Sequence, residues 1–82
     1  MLKIYGSMLC PDCVACCDQL KQAQIEFEFC EFAESLAHLK EFLKLRDAQE
    51  IFNEPRANGK IGIPCIVCDD GRVTLDWKEF IK

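Results

Sequence analysis

Cys10 and Cys13 are the residues whose type and spacing point most directly to chemistry. They lie in the run Cys10-Pro11-Asp12-Cys13, where a short apolar stretch ends and a helical pattern begins. Pro11 sits where a helix tolerates proline best, in its first turn. Cys10 therefore falls at a helix N-terminus, with Cys13 about one turn inside. Unpaired backbone N–H groups and the positive end of the helix dipole favour a thiolate at such a place. Settings of this kind lower a cysteine pKa below its free value. Cys13 is close enough in sequence to close a disulfide with Cys10. The chemistry these residues suggest is thiol–disulfide exchange, with Cys10 as nucleophile and Cys13 as resolving thiol.

The elements that must hold this pair follow from the hydrophobic periodicity. Residues 2–5 alternate and carry β-formers, and Gly6-Ser7 breaks them, so they read as a strand. Cys13, Cys16, Cys17, Leu20 and Ala23 recur at three- and four-residue steps, which predicts a helix over 11–23 with one apolar face. Ile25 to Phe32 alternates apolar with acidic residues and reads as a second strand, with Ile25, Phe27 and Phe29 on its buried face. A right-handed crossover joins the two strands in parallel.

A second helix opens at Glu34 or Ser35 and ends near Arg46-Asp47, with Leu36, Leu39, Phe42 and Leu43 on its apolar face. Residues 48–62 are the least legible: Ile51 and Phe52 call for burial, while Asn53-Glu54-Pro55 and Asn58-Gly59 signal turns. A short helical turn with a loop is expected there. Residues 63–68 form a third strand, Asp69-Asp70-Gly71 a hairpin turn, and 72–75 a fourth strand. Asp76 reads as the N-cap of a last short helix over 77–81. The expected order is β-α-β-α-β-β-α, with an α/β architecture.

Composition narrows the function classes. The chain has 82 residues, enough for one domain over 1–82. Its net charge of −4 argues against nucleic acid and anionic membranes as partners, since both require a basic face. No apolar run approaches the length that spans a bilayer. The N-terminus enters strand-like sequence directly, without the basic, apolar and small-residue regions of a signal peptide, so a cytoplasmic location is expected. Seven cysteines are the compositional outlier. Free cysteine is among the most buried residue types, so core packing is the simplest account of most of them.

With Cys10-Pro11-Asp12-Cys13 after the first strand and Gly62-Ile63-Pro64 before the third, the chain resembles the thioredoxin superfamily. Within it, the chain is similar to small glutaredoxin-like proteins. The resemblance covers nearly the whole chain and implies a thioredoxin-like fold, a four-stranded mixed sheet flanked by helices. It further implies that Pro64 follows a cis peptide bond and faces the two cysteines, and that Ile63 offers backbone groups to substrate. Pro11, Asp12, Ile63, Pro64 and Asp76 would then line the substrate site around catalytic Cys10 and Cys13. The implied activity is reduction of protein or mixed disulfides, as part of cell redox homeostasis and electron transport. No tightly bound cofactor is expected. Glutathione or a thioredoxin-reductase-type flavoprotein would supply electrons, and disulfide-containing proteins would be the partners. The chain departs from many glutaredoxins in having Gly6, Ser7, Met8 and Leu9 where a lysine often precedes the first cysteine. It also has Thr74-Leu75 where a Gly-Gly pair often precedes the aspartate.

Two other functions compete with this one. Cys10, Cys13, Cys16 and Cys17 form a thiolate-rich run of the kind that binds zinc or an iron–sulfur cluster. Four ligands along one helix do not converge easily on a tetrahedron, however, so no metal ligands are assigned. The other alternative is a redox-inactive binding module on the same fold. Cys65, next to Pro64, is either an additional thiol near Cys10 or a core residue with Cys68. Cys30 has no distinguishing feature. His38 reads as a surface residue. Arg46, Arg56 and Lys60 are candidate cations for a glutathione carboxylate or an acidic partner patch, with solvated surface as the simpler account. Trp77 is expected to pack the last helix on the sheet.

Overall fold

A computed structural model of the chain describes residues 1–81. Its strands are β1 (Leu2–Gly6), β2 (Phe27–Glu31), β3 (Cys65–Val67) and β4 (Val73–Thr74). Its α-helices are α1 (Pro11–Gln22), α2 (Leu36–Ala48) and α3 (Asn53–Ala57). Single 3-10 turns at Glu50–Phe52 and Trp77–Phe80 complete the architecture. The strands form one mixed sheet in the order β2-β1-β3-β4. β1 runs parallel to β2 and antiparallel to β3, which is itself antiparallel to β4. The protein is thus α/β, with β1 and β3 as the inner strands.

The alternation of β1 explains why both sheet faces are covered. Ile4 packs with Cys16 and Leu20 of α1 and with Ile66, while Trp77 and Phe80 close that side. Tyr5, the next residue, points the other way into a cluster with Cys30, Cys65, Phe42 of α2 and Phe52. Neighbouring strand residues face opposite sides, so one short strand serves two hydrophobic layers. Phe42 meets Phe52 edge-on, with ring centroids 5.6 Å apart and an interplanar angle of 80°.

Local chemistry sets the element ends. Helix α1 stops in a Schellman-type motif, in which the Ile25 amide donates to Leu20 O at 2.9 Å. Gln24 takes a left-handed conformation there, with φ of 61°. This bond holds Ile25 out of the sheet, so β2 begins at Phe27 rather than Ile25. Ser35 caps α2 by accepting from the Ala37 amide at 3.2 Å. The third strand pairs only over Cys65–Val67, since Pro64 has no N–H to give a ladder. Cys68 N–H donates to Arg72 O at 2.8 Å and closes the hairpin, leaving β4 two residues long.

Two expectations are corrected. Leu36 and Leu43 are 71% and 40% exposed, so the inner face of α2 is Phe42, flanked by half-buried Leu39 and Leu45. Helix α2 packs against β1 and β2, and Phe42 is its fully buried residue. Residues 50–57 are more ordered than a turn and loop, because the 3-10 turn runs directly into α3 and buries Phe52 and Pro55.

Five cysteines act as core residues: Cys13, Cys16, Cys17, Cys30 and Cys65 are each at most 2% exposed. Burial pushes the thiols of Cys16 and Cys65 up to about 12 and raises that of Cys17. Cys30 rises for the same reason, with the Glu28 carboxylate adding to the effect. Unfolding returns these thiols to water, where they ionise near pH 8.5. Their contribution to stability is therefore complete below that pH and is lost as pH climbs toward the folded values. The reduced protein should show a falling urea midpoint from pH 8.5 to 10.5. The slope should reach about 1.4 kcal/mol per pH unit for each thiol that ionises only on unfolding. Cys65→Ala should flatten this slope while lowering stability at pH 7.

Candidate functional site: a dithiol between two grooves

Cys10 is the N-cap residue of α1, with extended backbone angles (φ −96°, ψ 120°) and no side-chain cap bond. Its amide donates to Ser7 O at 3.0 Å, and its carbonyl accepts from the amides of Cys13 and Val14. The thiol is half-buried. The N-cap position is where a side-chain acceptor ordinarily satisfies the helix's unpaired N–H groups. Pro11 at the first helical position has no N–H, so it sacrifices no donor.

Cys13 differs from Cys10 in one decisive respect: it is fully buried. Burial is the main cause of its thiol being pushed up to about 12, and contact with the Cys10 thiol adds to the rise. A backbone hydrogen bond from Ser7 acts in the opposite direction. Gly6 makes this placement available. A Cβ on Gly6 would lie 2.6 Å from Cys13 Sγ, well inside any permitted contact. The sheet backbone thus forms the floor beneath the second sulfur.

Two loops converge on this pair, each fastened by a charged side chain. The loop before Cys10 is held by Glu31 at the end of β2. Its carboxylate accepts from the Met8 amide at 2.8 Å and from the Ala33 amide at 3.0 Å. These two bonds hold the Glu31 carboxyl below the usual carboxylate range. His38 is half-buried rather than a plain surface residue, and its Nδ1 lies 2.9 Å from Glu31 O, an arrangement in which the ring donates. The loop before Pro64 is held by Arg46. Its Nε donates to Ile61 O at 3.0 Å and its NH2 to Lys60 O at 2.8 Å. Arg56 donates in turn to Arg46 O and to Asn53 Oδ1. Gly62 adopts φ of 92°, and the Phe52 ring would stand 2.8 Å from any Cβ there. The Ile63–Pro64 peptide bond is cis.

Two open grooves meet beside Cys10. One, of about 420 Å³, is lined by Cys10, Asp12 and the backbone-rich segment Gly59–Ile63. The other, of about 640 Å³, runs past Asp12, Ile63, Pro64, Thr74, Asp76 and Trp77. The larger groove does not itself contain Cys10; shared Asp12 and Ile63 connect it to the smaller one. Asp12, Ile63, Pro64 and Asp76 are thus brought together. Pro11 is exposed and lines neither groove. Asp76 caps the last turn by accepting from the Lys78 amide at 3.1 Å. Thr74, buried beside it, donates its hydroxyl to Glu79 at 3.2 Å.

The structure also places the remaining candidate residues. Cys65 pairs with Tyr5 across the sheet and belongs to the α2 layer, whereas Cys13 and Cys16 belong to α1. It is a core residue away from Cys10. Arg46 and Arg56 are committed to backbone carbonyls, and Lys60 pairs loosely with Glu54 at 3.7 Å. Among the described residues, no group of three or more His, Cys, Asp or Glu side chains is placed to hold a metal. No described helix is long and apolar enough to cross a membrane. Glu31 and Arg46 gave no sequence signal for their roles, because the loop groups they hold (Met8, Lys60 and Ile61) are backbone groups 14 to 23 residues away.

A curated protein of Haemophilus influenzae, described as an uncharacterized protein, is 36% identical to this chain over 76 residues. The match covers 93% of this chain and 88% of that protein. The chain belongs to the family of that protein. No family model matches the chain, and no solved structure does so either. The relative's description carries no activity, so the chemistry must be argued from the dithiol itself.

Gly6→Ala tests the floor beneath Cys13. The added methyl forces the sulfur off its seat, and overpacking of this kind costs about 1–3 kcal/mol. The urea midpoint should fall accordingly, and diamide should close the Cys10–Cys13 disulfide more slowly than in the unaltered protein, as read by mass after thiol alkylation. Glu31→Gln tests the other fastening. Because the Glu31 carboxyl is depressed, its contribution is present above about pH 4.3 and is lost as pH falls through the folded value. The stability gap between the variant and the unaltered protein should therefore be largest near neutrality and close toward pH 3.

Proposed function

We propose that this protein is a glutaredoxin-like thiol–disulfide oxidoreductase with a thioredoxin-like topology, working in the cytoplasm on disulfide-containing proteins. The observation that carries this reading is the asymmetry of the two thiols. Cys10 is open to a groove at a helix N-cap, while Cys13, in contact with it, is sealed and protonated. An anionic sulfur at the N-cap faces first-turn N–H groups and the positive end of the helix dipole. A sealed thiol cannot meet an incoming substrate but can attack a neighbour.

The reaction follows from that arrangement. The Cys10 thiolate attacks one sulfur of the substrate disulfide; a Cys10–substrate bond forms, the substrate bond breaks, and the departing thiolate takes up a proton. Cys13 then loses its proton and attacks Cys10 sulfur. The Cys10–Cys13 bond forms and the second substrate sulfur leaves as a thiol. Substrate gains two electrons and two protons; the protein supplies both electrons and the Cys13 proton, and the other proton comes from water, which received it when Cys10 ionised. Two glutathione thiols, or the dithiol of a reductase flavoprotein, restore the reduced pair and become a disulfide. Contact with Cys10 raises the Cys13 thiol in the resting state. In the mixed disulfide Cys10 carries no charge, so that part of the barrier to Cys13 ionisation is removed when Cys13 must act.

Iodoacetamide should alkylate Cys10 at pH 7 at least tenfold faster than any of the five buried cysteines, with peptide masses resolving each site. Cys10→Ser should abolish disulfide reduction. Cys13→Ser should accumulate a covalent Cys10–substrate adduct on a target that cannot be released by a second protein thiol. Equal reactivity of all the thiols, or turnover surviving in Cys10→Ser, would refute the proposal.

A further inference from the structure

Arg46 stands out because it is a cation near a substrate groove that points its charge at the protein's own backbone. Nε and NH2 donate to the successive carbonyls of Ile61 and Lys60 at 3.0 and 2.8 Å. A planar fork held on two adjacent acceptors fixes the direction of a segment as well as its distance, which a single point charge does not. The segment so fixed is the wall opposite Cys10, since Gly59 to Ile63 line the smaller groove with it. Other restraints act at the ends of this wall. Lys60 N–H donates to Pro55 O at 2.8 Å, and Gly62 rests against the Phe52 ring. The carbonyls of Lys60 and Ile61 are held by Arg46. Arg56 steadies that connection from behind, through the Arg46 carbonyl.

We infer that Arg46 is a positioning residue for disulfide exchange at Cys10, and that it does not bind a substrate carboxylate. This rests on the oxidoreductase reading above. The fork sets the width of the groove between Cys10 and Ile61–Ile63, and with it the path by which a disulfide reaches the Cys10 sulfur. The Nε–NH2 edge of the guanidinium is taken by the two wall carbonyls, so a carboxylate would meet only the NH1 side. The two roles differ in what they predict for substrate charge. A carboxylate-binding arginine matters only for anionic disulfides. A wall-positioning arginine matters for every disulfide that must enter the groove.

The test compares neutral hydroxyethyl disulfide with anionic glutathione disulfide, both reduced by the full chain with dithiothreitol as recycling reductant. Arg46→Ala should raise KM about five- to tenfold for both, with a much smaller change in kcat. Arg46→Lys, which supplies a single point donor, should fall between the two. In the same variants, amide hydrogen exchange at Lys60, whose N–H donates to Pro55 O, should accelerate at least tenfold. If Arg46→Ala fails to fold by circular dichroism, Arg46→Gln, which keeps an amide donor on a shorter stem, carries the same comparison. A KM effect confined to glutathione disulfide, or unchanged exchange at Lys60, would overturn the inference. If the unaltered protein reduces neither disulfide, the oxidoreductase reading falls, and hydrogen exchange still decides whether Arg46 holds the wall.

Discussion

The close seat of Cys13 Sγ on the Gly6 backbone is the constraint from which the arrangement of the site follows. A sulfur that fits only where a Cβ is missing brings the first turn of α1 down onto the end of β1. Cys10 is then carried to the rim of the sheet, half-buried, while Cys13 disappears beneath it. Close packing leaves little freedom here, because a displacement of one methyl group in a dense interior is felt by every neighbour. The difference in accessibility between two chemically identical side chains thus arises from backbone geometry. No charged group is needed to create it.

Charge enters instead in the fastening of the two loops. Glu31 gathers N–H groups on the Cys10 side, and Arg46 gathers carbonyls on the Pro64 side. A carboxylate accepts only and a guanidinium donates only, so each suits a loop that presents one kind of unpaired backbone group. Neither loop belongs to the sheet ladder, and both would otherwise meet water. The two residues act as opposite ends of one clamp, with β1 between them, and both are exposed enough to escape the heavy desolvation cost of a buried ion.

The chain shows clearly which features can be read from local pattern. The Cys10–Cys13 spacing, the alternation of residues 2–5 and the hairpin at Asp69-Asp70-Gly71 are all local, and their local signals were sufficient. Residues 48–62 were not legible because their order comes from contacts that no local pattern announces: the Arg46 fork on the Lys60 and Ile61 carbonyls, the Phe52 ring against Gly62, and the Lys60 N–H donating to Pro55 O. Leu36 and Leu43 misled for a related reason. Helical spacing identifies a candidate apolar face, but burial depends on how much sheet lies beneath it. In α2 only Phe42 is fully buried, with Leu39 and Leu45 packed beside it. Cys65 shows the same limit in one residue, since its nearness to Pro64 in sequence is undone by a period-two strand that turns it to the other layer.

The cysteine content carries a tension that the fold resolves by partition. A small domain gains from filling its interior with compact apolar side chains, and cysteine is one of the most readily buried. On the proposed reading, a protein that exchanges disulfides also risks joining its own thiols wrongly. Here Cys16 and Cys17 lie under α1, and Cys30 and Cys65 sit in the opposite layer across β1. All four are sealed from solvent and raised against ionisation. Only a thiolate attacks a disulfide, so a thiol kept protonated in the core is a poor competitor even when an oxidised partner is near. Cys68, half-buried at the hairpin, sits at the far end of β3 from Cys10. Burial therefore does two things with one side chain type: it fills the core, and it leaves Cys10 as the half-buried sulfur that opens onto a groove, as the proposed exchange requires.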